Sequence, residues 1–458
     1  MPLLPPSPRR LIALVDASNF YVSCERVFRP DLARRPVVVL SNNDGCIVSR
    51  SDEVKAFGTP MAAPYFKLRR GLEARGTVAF SSNYPLYADF HRRVVETLRT
   101  FTPDVEPYSI DEAFLHLATP TPELRDPARL RDLARSIHSR VRAWTKIPVR
   151  VSIAATKTLA KVGSRHAKAE LRAGRPPAVC LHGWAPDALD ALLGATPVGD
   201  VWGVGRRHRE RLLAAGVDTA RALRDRPDAW VRRRMHTPGL RTVYELRGTA
   251  CITERGPRPR RSIARSRSFS RPATAFRDVR EALAVHAESA CARLRAEGMA
   301  ARAVQVFFHT GHGGARGPHR SASRAAALPL PTNDTAEVTA LTHRLLAEAW
   351  DGAQAFPYRK AGVLLLDLTP AASVPPDLFV ERRPERAALA AAVDRLNARF
   401  GQTASGRPPV YVAAAGPGDG APTETGHDWA MRQAHLSPFA PSPDGVPSVR
   451  LAPGLSLA

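Results

Sequence analysis

The chain alternates between short apolar runs and longer segments in which apolar residues recur at helical spacing. Leu11 to Val15, Ala113 to Leu117 and Val149 to Ala154 are too short for helices and predict buried strands. Tyr84 to Phe101 has its apolar residues three and four positions apart and predicts an amphipathic helix, and Arg125 to Trp144 predicts another. Two helices packed on a mostly antiparallel sheet give an α+β fold class.

Smaller elements follow the same patterns. Val37 to Leu40 and Cys46 to Ser49 predict two strands joined by a polar turn, and Ser51 to Phe57 predicts a capped helix. In the second half, a strand, helix, strand order occurs twice, which predicts a second α/β unit. Its recognisable segments are Ile263 to Phe269, Glu281 to Glu297, Ala303 to His309, Val338 to Trp350 and Ala361 to Asp367.

Charge adds a partner class to this fold. The 458 residues contain 67 lysines and arginines against 43 acidic residues, which gives a formal net charge of +24 and a pI near 10.9. Such an excess suits a long polyanion, because cationic side chains release the counterions of its phosphates on binding. A GC-rich genome would also favour arginine, so composition alone leaves both explanations open.

Cysteine, signal and membrane patterns bear on the compartment. The five cysteines are widely spaced and include no Cys-x-x-Cys pair, which argues against a disulfide framework and a zinc site. Residues 1–10 are rich in proline, lack the apolar core of a signal peptide and predict a disordered extension. No uninterrupted apolar run approaches the length of a membrane span. We therefore expect a soluble, cytoplasmic protein.

Three acids lie at the ends of predicted strands. Asp16 ends the first strand, and Asp111 and Glu112 directly precede the strand that begins at Ala113. Because neighbouring side chains of a regular strand point to opposite faces, the two adjacent acids can share a site only at a hairpin turn or bulge. Three such carboxylates would suit Mg²⁺ shared with substrate phosphates, hence phosphoryl transfer. A solvated turn and a helix cap would explain the same acids without a metal.

A set of motifs favours the metal interpretation. They are Leu14 to Tyr21, Ser41 to Cys46, Ser81 to Tyr84, Tyr108 to Phe114 and Lys157 to Lys161. In this order and spacing the chain resembles the Y-family translesion DNA polymerases, and among them the UmuC type, from about Leu11 to about Leu368. The resemblance implies a multidomain right-hand fold that inserts deoxynucleotides opposite damaged bases in the DNA damage (SOS) response. It also implies low fidelity and no proofreading site.

The resemblance assigns two Mg²⁺ ions to the acids. Asp16 and Asp111 would bridge both ions, Glu112 would bind the ion that activates the primer 3′-hydroxyl, and the carbonyl of Ala17 would bind the other. Tyr21, which follows Phe20, matches the steric gate of the family, an aromatic ring that would clash with a ribonucleotide 2′-hydroxyl. A tyrosine buried in the core is the alternative.

Basic residues match the triphosphate contacts of the family. Lys55 is one, with Ser49 and Arg50 close by in the sequence, and Lys168 is the other. The chain departs from many relatives at two positions: Asp52 stands where they carry a tyrosine, and Ala169 stands where they carry a proline, which leaves the end of that helix open. Lys157, Lys161 and Lys168 could also form an ordinary solvated helix face, which is typical of charges at such spacing.

Two further segments are expected to contact DNA. Gly203, Gly205 and Arg206 lie in a predicted helix-hairpin-helix, where glycines let the backbone approach phosphates, although an ordinary helical turn would have the same sequence. Arg265 and Arg267 alternate along a predicted strand and would give it one cationic face. His309, His312 and His319 fit a flexible, positively charged loop better than a metal site, because no acid or cysteine accompanies them.

The domain boundaries follow from these assignments. We expect a disordered extension at 1–10, a palm at 11–20 and 83–181, fingers at 21–82, a helix-hairpin-helix thumb at 182–253, a linker at 254–261, an α/β little finger at 262–368 and an extended C-terminal tail at 369–458. The tail contains Asp377 to Phe379 where relatives carry a clamp-binding peptide, but Pro375 and Pro376 replace its first residues. Trp429 to Ser437 resembles the end of UmuC-type chains and has no role that the sequence explains.

The resemblance also implies partners. Primer-template DNA and deoxynucleoside triphosphates would be the substrates, and a UmuD-like dimer, a recombinase filament and a sliding clamp would be protein partners. Two alternatives remain open at this point. One is a catalytically silent DNA-binding mutagenesis accessory, against which the three acids argue. The other is a DinB-type polymerase that needs no UmuD-like partner, against which the long tail argues.

Overall fold

The computed structural model describes residues 11–117, 126–253, 260–311, 319–352, 356–375, 384–400, 435–437, 439–441 and 447–449. The chain divides into two compact units. The first unit comprises residues 1–256 and 433–458, and the second unit comprises residues 257–432.

A five-stranded sheet forms the centre of the first unit. Its members in chain order are β1 (Leu11–Ala17), β5 (Val105–Pro107), β6 (Glu112–Leu117), β7 (Val149–Ala154) and β8 (Ala178–Cys180). The spatial order is β5-β6-β1-β7-β8, and every pairing is antiparallel except that between β7 and β8. Strand β1 lies in the middle, which explains why its residues are apolar almost to its end.

Helices cover both faces of this sheet. On one face, β1 contributes Leu11, Ala13 and Val15 to a core shared with α1 (Phe20–Val27), α4 (Tyr84–Arg99) and α5 (Pro127–Thr145). On the other face, Ile12 and Leu14 pack with α6 (Lys157–Arg172). The predicted strands and helices are confirmed here within a few residues, and α6 continues through Ala169 without a break.

A smaller three-stranded sheet is inserted between α1 and α4. It has the order β3-β2-β4, with β2 (Val37–Leu40) antiparallel to β3 (Ile47–Arg50) and parallel to β4 (Val78–Ser81). A 3₁₀ turn at Pro30–Leu32 precedes it, and α2 (Asp52–Ala56) and α3 (Tyr65–Glu73) connect β3 with β4.

A helical segment completes the first unit. It contains α7 (Pro186–Gly194), a 3₁₀ turn (Val198–Asp200), α8 (Arg206–Ala214), α9 (Ala220–Arg224) and α10 (Asp228–Leu246). Helix α10 is kinked at His236, whose φ is 58°, two residues before Pro238. The segment is joined to α6 by Glu245, whose carboxylate accepts the N–H of Thr158 at 2.9 Å.

The second unit is a four-stranded antiparallel sheet with two helices on one face. The chain order is β9 (Ser262–Ala273), α11 (Phe276–Ala296), β10 (Met299–His309), β11 (Ser321–Thr332), α12 (Thr335–Ala349) and β12 (Tyr358–Pro370), and the spatial order is β11-β10-β12-β9. This arrangement confirms the repeated strand, helix, strand order. A 3₁₀ turn (Ala371–Ser373) follows β12.

The C-terminal region contains structure that the sequence analysis did not predict. Helix α13 (Pro384–Phe400) belongs to the second unit, and β13 (Phe439–Pro441) pairs with β14 (Pro447–Val449) in the first. The predicted extension at 1–10, most of the linker, His312, the peptide Asp377 to Phe379, and Trp429 lie outside the described residues. None of the described helices is both long enough and apolar enough to cross a bilayer.

Candidate active site

The acid pair lies at a hairpin turn, where the pleat is interrupted. Asp111 is in the turn between β5 and β6, and Glu112 is the first residue of β6. The hydroxyl of Ser109 donates to Asp111 Oδ1 at 2.6 Å and accepts the N–H of Glu112 at 3.1 Å. One serine therefore shapes the turn and orients the first acid.

Asp16 and Ala17 lie directly beside this turn. Asp16 pairs with Glu112 across the sheet, and the N–H of Ala17 donates to the carbonyl of Asp111 at 2.7 Å. The sheet register thus brings together the four residues that were predicted to bind metal. Because paired residues of adjacent strands point to the same face, Asp16 and Glu112 both face α6.

Each of these two carboxylates is held by a cation from the surrounding structure. Arg150 Nη2 lies 2.5 Å from Asp16 Oδ2, to which Ser164 also donates at 3.2 Å. Lys161 Nζ lies 2.8 and 2.9 Å from the two oxygens of Glu112. Arg150 is on β7 opposite Asp16, and Lys161 is on α6. The acids are therefore neutralised by the protein's own side chains in this structure.

The electrostatics of Glu112 favour a bound positive charge. Burial is the largest influence and raises the pKa of Glu112, and the charges of Asp16 and Asp111 raise it further. Lys161 acts in the opposite direction without cancelling these effects, so the pKa remains above its ordinary value. Three mutually repelling carboxylates are the arrangement that a divalent cation relieves.

Lys161, for which an ordinary solvated helix face was the alternative, lies in an aromatic enclosure. Its Nζ lies 4.5 Å from the ring centre of Tyr108, 5.5 Å from that of Trp202 and 5.8 Å from that of Phe114. The indole N–H of Trp202 donates to the Tyr108 hydroxyl at 3.1 Å. The aromatic rings hold the ammonium group against Glu112. In the sequence, the only feature that distinguished Lys161 from a surface lysine was its place in the Lys157 to Lys161 motif.

The donor set fits a hard divalent cation, although the side chains are not arranged around one. Among the described residues, no group of three or more His, Cys, Asp and Glu side chains has the geometry of a metal site. Three carboxylates and a backbone carbonyl are nevertheless the oxygen ligands that Mg²⁺ prefers. An ion held by these carboxylates would replace the contacts of Arg150 with Asp16 and of Lys161 with Glu112, so its binding would require those two cationic side chains to move.

Tyr21 lies next to the acids, and Phe20 lies beneath them. The Tyr21 ring stacks on Tyr87 with a centroid distance of 4.3 Å and an interplanar angle of 14°. Its pKa is raised to about 12, first by burial, then by Tyr84 and Asp111, which places the ring within electrostatic reach of the acid. Phe20 is 4% exposed and packs in the core beside the partly buried Tyr21, and its contact with a nucleotide stays a prediction.

The two lysines predicted to bind triphosphate converge on Asp52. Lys55 Nζ lies 2.8 Å from Asp52 Oδ1 and also donates to the side chain of Asn19. Burial acts to raise the pKa of Asp52, but the hydrogen bond and charge of Lys55, together with Asn19 and the charge of Lys168, lower it overall. The residue that departs from the family thus holds Lys55 and faces Lys168.

The other two predicted nucleotide residues are less accessible. Ser49 is 7% exposed, and the guanidinium group of Arg50 donates to the carbonyl of Thr59. Neither side chain joins the group formed by Lys55, Asp52 and Asn19 in this structure.

The predicted hairpin lies between a 3₁₀ turn (Val198–Asp200) and α8, and Gly205 is the N-cap of α8. Gly203 has a φ of +90°, and Arg206 is exposed. An arginine recess lies nearby on the same helical segment and is lined by Arg211, Arg233, Arg234 and His236. The recess was not predicted, since its members come from two helices.

The arginines of β9 are on the helix-covered side of its sheet. Arg265 pairs with Val363 and Arg267 pairs with Ala361, and both partners are buried in the core of the second unit. Arg265 is partly buried, and both arginines act to lower the pKa of His286 on α11, after burial. The strand is confirmed, but its cationic side is not the open face of the sheet.

Comparison with known proteins identifies the family. The family model impB/mucB/samB matches residues 15–165, its C-terminal domain model matches residues 260–378, and a domain of unknown function (DUF4113) matches residues 387–440. Protein UmuC of Salmonella typhimurium is 38% identical over 93% of this chain and 97% of its own length. Protein ImpB of Salmonella typhimurium is 37% identical, with 93% and 96% covered.

More distant matches agree with this assignment. A DNA polymerase IV of Brucella melitensis is 30% identical over 86% of this chain and 84% of its own length. Among solved structures, a Y-family DNA polymerase chimera of Dbh and Dpo4 superposes with a TM-score of 0.61, 18% identity, and coverage of 78% of this chain and 98% of that one. The chain belongs to the impB/mucB/samB family and is a UmuC-type Y-family DNA polymerase.

Proposed function

We propose that this chain performs translesion DNA synthesis by two-metal-ion phosphoryl transfer during the DNA damage (SOS) response. It would add deoxynucleotides to a primer 3′-hydroxyl opposite damaged template bases. The observation that carries the proposal is the cross-strand pairing of Asp16 with Glu112 beside the turn that contains Asp111. Family membership supplies the polymerase activity, and this geometry supplies a location for its chemistry.

Asp16, Asp111, Glu112 and the carbonyl of Ala17 would hold two Mg²⁺ ions. When bound, these ions would lower the pKa of the primer hydroxyl and neutralise charge on the leaving pyrophosphate. Arg150 and Lys161 would release Asp16 and Glu112 as the ions bind. In the absence of ions, both cations keep the repelling carboxylates in place, which preserves the geometry of the site between turnovers.

Lys55 and Lys168 would bind the triphosphate. Asp52, which lies 2.8 Å from Lys55 Nζ, holds that ammonium group next to α1 until a nucleotide arrives. A triphosphate carries more negative charge than one carboxylate, so it would displace Asp52 from the lysines. Tyr21 would pack against the sugar and exclude a 2′-hydroxyl.

Primer extension past an abasic site in Mg²⁺ tests this proposal. With a UmuD-like dimer and a recombinase filament present, we expect the parent to extend the primer, and Asp111→Ala or Glu112→Ala to abolish extension while DNA affinity stays near that of the parent. Asp132→Ala is the matched control, because Asp132 is an exposed acid on α5 that pairs only locally with Arg135 at 3.2 Å. Equal loss of extension in the control, or extension by the Asp111 variant, would refute the assignment of the site.

The partners form a separate part of the proposal. The resemblance to UmuC-type chains supports activation by a UmuD-like dimer and a recombinase filament, and use of a sliding clamp. The similarity to DNA polymerase IV supports a second candidate, a polymerase that acts without the dimer. Extension measured with and without these partners separates the two, since a DinB-type enzyme would extend the primer alone.

A further inference from the structure

A short segment near the C-terminus lies on the edge of the three-stranded sheet. We call residues His435–Ser437 the docked segment. The N–H of Ser81 on β4 donates to the carbonyl of His435 at 2.8 Å, and the N–H of His435 donates to Ser81 Oγ at 2.9 Å. Ser81 and Leu436 form a parallel bridge. The docked segment therefore pairs backbone groups that an edge strand would otherwise expose.

Ser437 extends from this edge into the interior. It is 5% exposed, and its Oγ accepts a hydrogen bond from the Asn83 side chain at 3.0 Å. Asn83 in turn caps α4 by accepting the N–H of Leu86 at 3.3 Å. The docked segment is thus attached to the first turn of the helix that carries Tyr87.

Glu25 is the second group that Ser437 approaches. Its carboxyl group is fully buried, and Oε1 accepts a hydrogen bond from the Tyr87 hydroxyl at 2.7 Å. Oε2 makes no hydrogen bond to any residue that the structure describes. Burial raises the pKa of Glu25 to about 7, and the hydroxyls of Tyr87 and then Ser437 oppose this rise. A buried acid with one free oxygen depends strongly on the few dipoles around it.

Glu25 and the Tyr21 ring are linked through Tyr87. They lie four residues apart on α1 and so share one face of that helix. Both contact Tyr87. The Tyr21 ring stacks on the Tyr87 ring, and the Glu25 carboxylate accepts a hydrogen bond from the Tyr87 hydroxyl. A change in the hydrogen bonds of Glu25 will therefore alter the position of Tyr87 and of the Tyr21 ring that stacks on it.

We propose that the docked segment is a positioning element for sugar selection. Through Ser437 it holds Asn83, whose carbonyl accepts the Tyr87 N–H at 3.1 Å, and through the stacked ring of Tyr87 it sets the position of the Tyr21 ring against the sugar of the incoming nucleotide. The inference rests on the role of Tyr21 in the proposed function. Because the docked segment lies within residues 387–440, it gives the end of the domain of unknown function a role in the polymerase site.

The test uses the full chain with Ser437→Ala. Single-nucleotide insertion is measured with a deoxynucleoside triphosphate and with the matching ribonucleoside triphosphate, giving kcat and KM for each. We expect kcat for the deoxynucleotide to be retained and KM for the ribonucleotide to fall, so that selectivity drops about tenfold, which corresponds to ~1.4 kcal/mol. Leu436→Ala is the matched control, because its side chain is 50% exposed and its backbone pairing is kept.

Tyr87→Phe provides a second variant in case Ser437→Ala does not fold. It keeps the ring on which Tyr21 stacks and removes the hydroxyl that donates a hydrogen bond to Glu25, so we expect the same loss of sugar selectivity. A segment that only stabilised the fold would reduce insertion of both sugars alike. That result, or parental selectivity in both folded variants, would overturn the inference.

Tyr21→Ala separates this inference from the proposed function. If the parent does not extend a primer when a UmuD-like dimer and a recombinase filament are present, or if Tyr21→Ala leaves sugar selectivity unchanged, the proposed function of the site fails. If Tyr21→Ala abolishes selectivity while Ser437→Ala and Tyr87→Phe keep it, only the positioning role fails.

Hydrogen exchange tests the docking itself. We expect the Ser81 amide to exchange slowly in the parent and in Leu436→Ala, because it donates to His435, and faster in Ser437→Ala. Fast exchange of this amide in the parent would mean that the segment is not docked in solution, which would contradict the inference.

Discussion

Glu25 is a carboxylic acid in an apolar environment, and its titration must affect stability. Burial raises its pKa from 4.5 to about 7. Between these values the folded protein binds a proton that the unfolded chain releases, so stability falls as pH rises from about 4.5 through about 7.

Glu25→Gln removes this titration while preserving the shape of the side chain. Relative to the parent, we expect the variant to gain about 3 kcal/mol between pH 4.5 and pH 8, since each pKa unit corresponds to about 1.4 kcal/mol. The measurement is the difference in thermal unfolding midpoint between variant and parent at several pH values. Glu96→Gln, an exposed residue of α4, is the control. A difference that does not change with pH would contradict the prediction.

The two glycines of the hairpin differ in backbone conformation and in the space around them. Gly203 has a φ of +90°, and an added Cβ would lie 2.8 Å from Thr242 Oγ1. Gly205 has a φ of −78° and open space around it. We expect Gly203→Ala to lower the free energy of unfolding by about 1–3 kcal/mol and Gly205→Ala by no more than about 0.5 kcal/mol. Urea unfolding of both variants checks this, and equal effects would show that backbone conformation is not the cause.

For single residues, the sequence identified the three acids but not the cationic side chains that pair with them. Asp16, Asp111 and Glu112 were recognisable because they lie at the ends of predicted strands and within motifs whose order and spacing resemble a known family. Arg150 and Lys161 come from elements 134 and 49 residues away from the acids that they bind, so only the strand register and the position of α6 reveal them. Phe20 and Tyr21 share one motif, and the sequence alone could not show that Phe20 is buried in the core while Tyr21 is only partly buried.

Among the elements, predictability followed the strength of the apolar pattern. Strand β1 and helix α4 were found within two residues, because each has a continuous apolar run or stripe. Strand β11 is rich in serine and alanine and includes Pro329 and Pro331, so it has little pattern of its own. Its pairing with β10 along most of its length is what makes it a strand. Such pairing is long-range and leaves no local signal.

Helix α13 depends similarly on a contact with a distant element. Its sequence is alanine-rich and lacks a strong apolar stripe, and the guanidinium group of Arg295 on α11 holds it through two bonds to Asp394, at 2.7 and 2.9 Å. We expect Asp394→Asn to weaken this docking by about 1–3 kcal/mol, because the carboxylate becomes a neutral amide while Arg295, which is largely buried, keeps its charge.

Hydrogen exchange along α13 measures that effect. Its amides should exchange faster in Asp394→Asn, while those of α4 in the first unit stay as slow as in the parent. Glu297→Gln is the control, because it removes a carboxylate that pairs with the partly exposed Arg293 of the same unit without touching α13. Unchanged protection of α13 in the Asp394 variant would mean that another contact holds the helix.

For the whole molecule, the region after the second sheet is more than a tail. Residues 387–440 match one domain model, yet α13 packs in the second unit and the docked segment packs in the first. Charge and motif order predicted a multidomain DNA-binding enzyme, but they could not assign this region, because its anchors are polar contacts with residues far away in the chain. The burial of Ser437 and the pairing of Asp394 with Arg295 carry that information.

The net charge of +24 is a property of the whole molecule and predicts that DNA affinity falls as the salt concentration rises. Each phosphate contact contributes about 0.9 to the slope of log affinity against log salt concentration. If the arginine recess binds the DNA backbone, Arg211→Ser combined with Arg233→Ser should make this slope shallower by about 2. Fluorescence anisotropy with primer-template DNA over a range of salt concentrations gives the slope.

A matched double variant decides whether position or total charge is responsible. Arg293→Ser with Arg344→Ser removes the same charge from α11 and α12, the helices that cover one face of the second unit's sheet. We expect its slope to equal that of the parent, because counterion release requires contact with a phosphate, whereas the general field of the protein is screened within about 10 Å at 0.1 M salt. Equal changes in both double variants would show that affinity follows net charge and that the recess has no special place in binding.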